Sequence, residues 1–239
     1  MFHPKGPSFF ELVKQALSST ERGYDLLAPK FDYTPFRTPD AILEVVASHV
    51  GTRGSVGSAL DVCCGTGVSM RMLRPLCRDA VVGVDFSKGM LKEARQRLTD
   101  TQGLAVIHLV RSDVLAMPFR RMFDVVTCFG GFGHILSSDE ERFVTSVASA
   151  LKPRGRFVFV TSVMPPLWSR RYWLSRGFNA ATRIRNALLS PPFIMYYLTF
   201  LLPDARNLLE HCGFRVEVHE GLFDPPLQHA WLVIATLLN

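Results

Sequence analysis

Short, continuous apolar runs alternate with amphipathic stretches along most of this chain. The first 50 residues read as helical: residues 9–17 (FFELVKQAL) form one amphipathic segment, and residues 39–50 (PDAILEVVASHV) another, with Pro39 and Asp40 placed as helix-start residues. A turn-rich, aromatic stretch, YDLLAPKFDYTPF, lies between them. After Gly51 the period changes. Residues 59–63 (ALDVC), 80–85 (AVVGVD), 105–110, 123–129 (FDVVTCF) and 156–163 are buried-strand runs, and helical patterns fall between them. Ser87 is an N-cap candidate, with Phe86 and Leu91 spaced as a hydrophobic staple. Residues 138–141 (SDEE) read as a capping box that opens a helix with Phe143, Val144, Val147, Ala148 and Leu151 on its apolar face; residues 152–155 (KPRG) stop it.

The end of the chain breaks this rhythm. A helix over 204–212 is stopped by Gly213, then Phe214, Val216 and Val218 alternate with polar residues, and residues 230–238 form a last strand. Two strands without a helix between them imply an antiparallel hairpin at one end of the sheet. The expected fold is therefore α/β: a doubly wound, Rossmann-like sheet of seven strands, mostly parallel, with an antiparallel C-terminal hairpin and a helical lid insertion. We expect residues 1–50 to be a helical cap over a binding site, and 51–239 the main domain with the lid at 164–203.

Composition agrees with one globular unit. The 239 residues are 48% hydrophobic and 20% charged, enough to bury a core without staples and unlike a disordered chain. Cys63, Cys64, Cys77, Cys128 and Cys212 are an odd, scattered set with no CxxC pair, which suits reduced thiols in a cytoplasm and neither a disulfide framework nor a metal site. The start of the chain lacks a signal-peptide core, and the most apolar stretch, 187–202, is short and broken by Pro191 and Pro192. The net charge of +6 is regional: residues 142–203 hold nine Lys/Arg and no acid, so that stretch carries +9 and the remainder −3. A basic face is implied, not a generally basic protein.

In an open doubly wound sheet, ligands bind beyond the carboxyl ends of the strands. Four such ends carry signals here: residues 64–67 (CGTG), Asp85, Asp113 and residues 129–131 (FGG). A glycine-rich first turn lets a ligand approach the backbone closely. Asp85, 20 residues beyond Gly65, is placed for a ribose diol, and Asp113 could accept from an exocyclic amine. Together they describe a nucleoside pocket.

The run 59–67 (ALDVCCGTG) resembles the first motif of class I S-adenosylmethionine-dependent methyltransferases. The likeness continues through 84–91, 112–119, 123–129 and 151–156, in order, and is similar to the small-molecule type that includes the ubiquinone/menaquinone C-methyltransferases. The resemblance implies S-adenosyl-L-methionine as cofactor. It implies that Asp61 anchors the glycine loop or the cofactor's amino group, and that Gly65, Thr66 and Gly67 line the methionine part. By the same likeness Asp85 binds the ribose, Phe86 and Met90 flank the adenine, Asp113 and Val114 meet its amine and ring edge, and Phe129 offers backbone near the amino group. Tyr24 and Tyr33 resemble the segment that closes over the cofactor. Cys63 departs from the pattern, standing where glycine is usual.

Methyl transfer needs in-line positioning and, for an acceptor of high pKa, a base. His134, just past the fourth strand, is the candidate; His219 and His229 are weaker ones, and no metal is expected. The insertion holds Trp168, Tyr172, Trp173, Phe178, Phe193, Tyr196, Tyr197 and Phe200 among arginines, which suits a lipophilic or aromatic acceptor, a peripheral membrane contact through 164–203, or a homodimer interface. Its poor helical periodicity predicts two short helices. Nucleic acid is not expected as a partner. An NAD(P)-dependent oxidoreductase and a non-catalytic methyltransferase-like binding protein stay open as alternatives.

Overall fold

The computed structural model describes residues 3–239. Seven strands, β1 (Val56–Val62), β2 (Cys77–Asp85), β3 (Val106–Arg111), β4 (Phe123–Cys128), β5 (Leu151–Thr161), β6 (Phe214–His219) and β7 (Trp231–Leu237), form one sheet in the order β3-β2-β1-β4-β5-β7-β6. The first five are parallel, and β7 runs antiparallel to both β5 and β6. The expected seven-stranded, mostly parallel sheet with a closing hairpin is thus the architecture found. Strands β1 and β4 are buried nearly end to end, and β2 from Val81 onward, because helices cover both faces, whereas the edge strand β3 alternates exposed and half-buried positions and β6 begins with alternating buried and exposed ones.

Helices α1 (Phe9–Ala16), α2 (Thr20–Leu27), α3 (Asp40–Val50), α4 (Val68–Leu73), α5 (Lys88–Arg97), α6 (Glu140–Ala150), α7 (Arg170–Leu188) and α8 (Asp204–His211) complete the chain. Helix α3 starts after Pro39, and Ser87 caps α5 by accepting from the Met90 N–H at 3.1 Å, both as expected. The buried face of α3, Ile42, Val46 and Val50, packs into the same core as β1 and β2. So the boundary expected at residue 50 does not follow the packing: α3 is part of the main body, and only the segment before it lies across the strand ends.

Two other expectations are corrected. Residues 138–141 form no capping box: Ser137–Asp139 is a 3-10 turn, and α6 begins at Glu140 behind Asp139 without a side-chain cap. The lid is not a pair of short helices either. One helix of 19 residues, α7, spans Gly177, where an added Cβ would meet nothing within 4 Å. A glycine in such an open position costs helix stability by roughly 1 kcal/mol relative to alanine but does not break the helix.

Candidate active site

Strand register builds the site. Val62 of β1 pairs with Val84 of β2 on one side and Cys128 of β4 on the other, and Cys128 pairs with Phe159 of β5. The next residues, Cys63, Asp85, Phe129 and Val160, therefore stand at one level at the carboxyl end of the sheet. All four line a cavity of about 480 Å³, within the size range of small-molecule sites. Thr66 and Gly65 line it too.

The loop after β1 turns through left-handed backbone at Cys63 (φ 56°), Gly65 (φ 52°) and Gly67 (φ 83°). Left-handed backbone at Cys63 explains why glycine suits that position. Gly67 has a second reason: an added Cβ there would lie 2.9 Å from Leu98, and Gly67 itself stays off the cavity wall as the N-cap of α4. Asp85 holds the loop in place. Its carboxylate accepts from the Gly65 N–H at 2.9 Å through one oxygen and from the Ser87 N–H at 2.9 Å through the other. Burial raises Asp85 to about 6 despite those donors. Each carboxylate oxygen keeps acceptor capacity toward the cavity.

Asp61 sits one layer below and is sealed from the cavity. It accepts from the hydroxyls of Ser69 (2.5 Å) and Thr127 (2.8 Å), and burial raises it to about 7. Of the two roles expected for it, only the anchoring of the loop and of α4 is compatible with this position. Phe86, Met90 and Phe129 stand on the cavity wall. Asp113 and Val114 do not: Asp113 caps a 3-10 turn by accepting from the Leu115 N–H at 2.9 Å, and neither residue borders the cavity. The adenine contacts expected of Asp113 and Val114 from the likeness of 112–119 do not match this placement, since neither side chain reaches the cavity. Tyr33 is likewise elsewhere, 38% exposed and stacked on His3.

The N-terminal segment closes the cavity through Tyr24, Phe31 and Phe36. Two aspartates that the sequence reading missed tie it down. Asp25 accepts from the Ser87 hydroxyl (2.6 Å) and the Gly89 N–H (2.7 Å) at the start of α5, and Asp32 accepts from the Thr66 hydroxyl at 2.6 Å while pairing with Arg97. No local pattern distinguishes these acids from solvated ones, because their partners lie 34 to 65 positions away.

His134 closes the far side. Its Nδ1 lies 2.7 Å from the Ile194 carbonyl and its Nε2 2.8 Å from the Tyr24 hydroxyl. A carbonyl only accepts, so Nδ1 carries the proton and Nε2 accepts from Tyr24. Burial lowers the His134 pKa and raises that of Tyr24, which keeps both neutral. His229 lines the cavity as well, whereas His219 packs against His49 at a ring distance of 5.4 Å. Residues 190–202 form a strap across this end. Tyr196 N–H donates to the Gly133 carbonyl at 2.8 Å, Thr161 Oγ1 donates to the Phe200 carbonyl at 2.8 Å, and Phe200 stacks on Phe132 at 4.5 Å. Met195, Tyr196, Tyr197 and Leu198 of the strap face the cavity.

The strand order is that of a Rossmann-like fold, with the cavity at the carboxyl ends of the parallel strands. Residues 59–155 match the family model described as a methyltransferase domain. Among curated proteins, the demethylmenaquinone methyltransferase of Lactiplantibacillus plantarum is 35% identical over 118 residues, which are 46% of this chain and 49% of that protein. The chain thus spans about half the length of that relative. The demethylmenaquinone methyltransferase of Renibacterium salmoninarum is 28% identical over 200 residues, 78% of each chain. Among solved structures, the DhpI–SAH complex superimposes with a TM-score of 0.65 at 18% identity, covering 95% of this chain and 98% of that one.

Proposed function

We propose that this protein transfers a methyl group from S-adenosyl-L-methionine to a small lipophilic or aromatic acceptor at oxygen, carbon or nitrogen. The carrying observation is a cavity lined both by the 63–66 loop with Asp85 and by His134 with the aromatic strap. The cofactor supplies an electrophilic methyl on a sulfonium. The residues present suit it, since the left-handed loop leaves space beside Gly65 and Asp85 offers a carboxylate to a ribose diol. Phe86 and Met90 give an apolar slot for a purine, and Phe129 borders the methionine end.

In this reading, residues of 1–50 ahead of α3 cover the cofactor end and 164–203 covers the acceptor end. Tyr24 then moves from cofactor clamp to chemistry. Its hydroxyl already donates to His134 Nε2, so its free lone pairs are what an acceptor X–H meets. As the X–CH3 bond forms, the acceptor's proton passes to the Tyr24 oxygen and the Tyr24 proton to His134, with a base contribution of roughly 10²–10⁴-fold. The Ile194 carbonyl holds the imidazole in the tautomer this requires. The strap and Tyr24 also keep water from the reacting atoms.

The names of the relatives make a demethylmenaquinone analogue the first acceptor to try. A lipophilic acceptor also fits a cytoplasmic enzyme that touches membranes through 164–203; a homodimer through the same segment is the competing use. Among the described residues, no helix is long and apolar enough to cross a membrane. The test is a calorimetric titration with S-adenosylhomocysteine, NAD+ and NADP+ side by side. One-to-one binding of the thioether nucleoside alone is expected. Binding of a dinucleotide instead would return the oxidoreductase alternative, and binding without turnover on any acceptor would favour the non-catalytic one.

A further inference from the structure

Helix α7 is amphipathic the wrong way round for a core helix. At about 100° per residue, Tyr172, Ser175, Asn179, Thr182 and Asn186 fall in one sector, and this is the side that faces the protein. Asn179 exchanges two hydrogen bonds of 2.8 Å with the backbone of Tyr197, and Asn186 does the same with Phe193 at 2.9 and 3.0 Å. The opposite sector presents Trp173, Leu174, Ile184 and Leu188 to solvent, with Leu174 74% and Leu188 76% exposed. Just before the helix, Trp168 is 88% exposed. A polar inner face with an apolar outer one is what a helix shows when its partner lies outside the fold.

Helix α1 carries a second exposed apolar stripe. Its exposed Phe9, Phe10 and Val13, with Leu17 just beyond, share one stripe. The two helices are lashed together by Arg185, whose guanidinium donates to the carbonyls of Ala16, Leu17 and Ser18 at the end of α1 and to Pro191 of the strap, over 2.6–3.0 Å. Arg176 and Arg183 border the outer stripe of α7 on one side, and Arg170 falls within it. All three are exposed and none forms an ion pair among the described residues. With no acid anywhere in 142–203, the surface complements a negative one.

We propose that the outer faces of α1 and α7 together form a docking surface for an anionic lipid bilayer. Aromatic and aliphatic side chains enter the headgroup region while arginines without carboxylate partners meet lipid phosphates, as in helices that lie in the interface plane. The inner face of α7 grips the strap that walls the acceptor end of the cavity, so docking sets the strap, and with it the way in, against the lipid phase. This last consequence rests on the lipophilic-acceptor reading; the docking surface itself does not.

The experiment is co-sedimentation of the full chain with phosphatidylcholine vesicles, with and without phosphatidylglycerol, beside titrations with S-adenosylhomocysteine. The wild type is expected to pellet with the anionic vesicles. Trp173→Ser with Ile184→Ser, and separately Phe9→Ser with Phe10→Ser, should each weaken partitioning at least about tenfold. Arg176→Gln with Arg183→Gln should weaken it about 30-fold, and all should keep the nucleoside affinity. A wild type that stays in the supernatant, or variants that pellet like it, overturns the proposal. So does a dimer by light scattering that the same substitutions split, which would assign the face to a second copy. A protein that pellets as expected but ignores the nucleoside would sink the methyl-transfer reading and leave the docking surface standing.

Discussion

Asp85→Asn separates what the Asp85 carboxylate does for the fold from what it does for a ligand. In the protein the carboxylate accepts two backbone N–H bonds and lines the cavity, and burial raises it to about 6 from an ordinary 3.8. Ionised near pH 8, it carries an electrostatic cost of about 3 kcal/mol. The amide removes that cost but can accept through one oxygen only, so one of the Gly65 and Ser87 donors loses its partner, at about 1–3 kcal/mol. These effects oppose each other, and stability at pH 8 should shift by less than about 2 kcal/mol. Affinity has no such offset. Losing charge-assisted bonds to a ribose diol should weaken S-adenosylhomocysteine by about 2 kcal/mol, near 30-fold. The pH dependence follows from the raised value. Ribose hydroxyls donate to the ionised form, so wild-type affinity should hold above about pH 6 and drop close to tenfold per unit below it, whereas the variant should stay flat. Urea unfolding and calorimetry on both proteins provide the two readouts. An affinity that the substitution leaves unchanged would refute the ribose assignment, and a large loss of stability alone would reduce Asp85 to a loop anchor.

Tyr24→Phe should lower kcat on a demethylmenaquinone analogue by roughly 10²-fold while changing nucleoside affinity by less than about threefold; the reverse pattern would make Tyr24 a cofactor clamp. Asp25→Ala removes the tie from the N-terminal segment to Ser87 and Gly89. Proteolysis ahead of α3 should accelerate and nucleoside affinity fall about tenfold, and unchanged cleavage would show that the segment is held by packing alone. Asp61 binds its proton up to about pH 7 in the native state but only up to an ordinary 3.8 when unfolded. Its contribution to stability is therefore full below 3.8 and is lost as pH rises through 7, about 4 kcal/mol in all. Denaturation of Asp61→Asn across that range should show a flatter profile than the wild type, and parallel profiles would contradict the raised value.

Much of the architecture is local in origin and could be read from the chain. Continuous apolar runs ending at glycine or aspartate identify buried parallel strands, because a strand covered on both faces has no polar side to alternate. Paired strands without an intervening helix identify the closing hairpin. The same reasoning located Gly65, Thr66, Asp85 and Phe129, since each lies at the carboxyl end of a strand or in the loop that follows it. What tertiary structure alone decided are contacts made across distance. Whether Asp61 faced a ligand or a hydroxyl pair depended on Ser69 and Thr127. Asp113 had a motif but its carboxylate turned to its own backbone. Asp25, Asp32 and the Tyr24–His134 pair exist only because the N-terminal segment folds back over the strand ends. Helix α7 shows the limit most plainly. Periodicity assumes that apolar residues face inward, and on α7 they face outward while asparagines grip the strap. A sequence records which residues share a helix face; only packing decides which face is the inside.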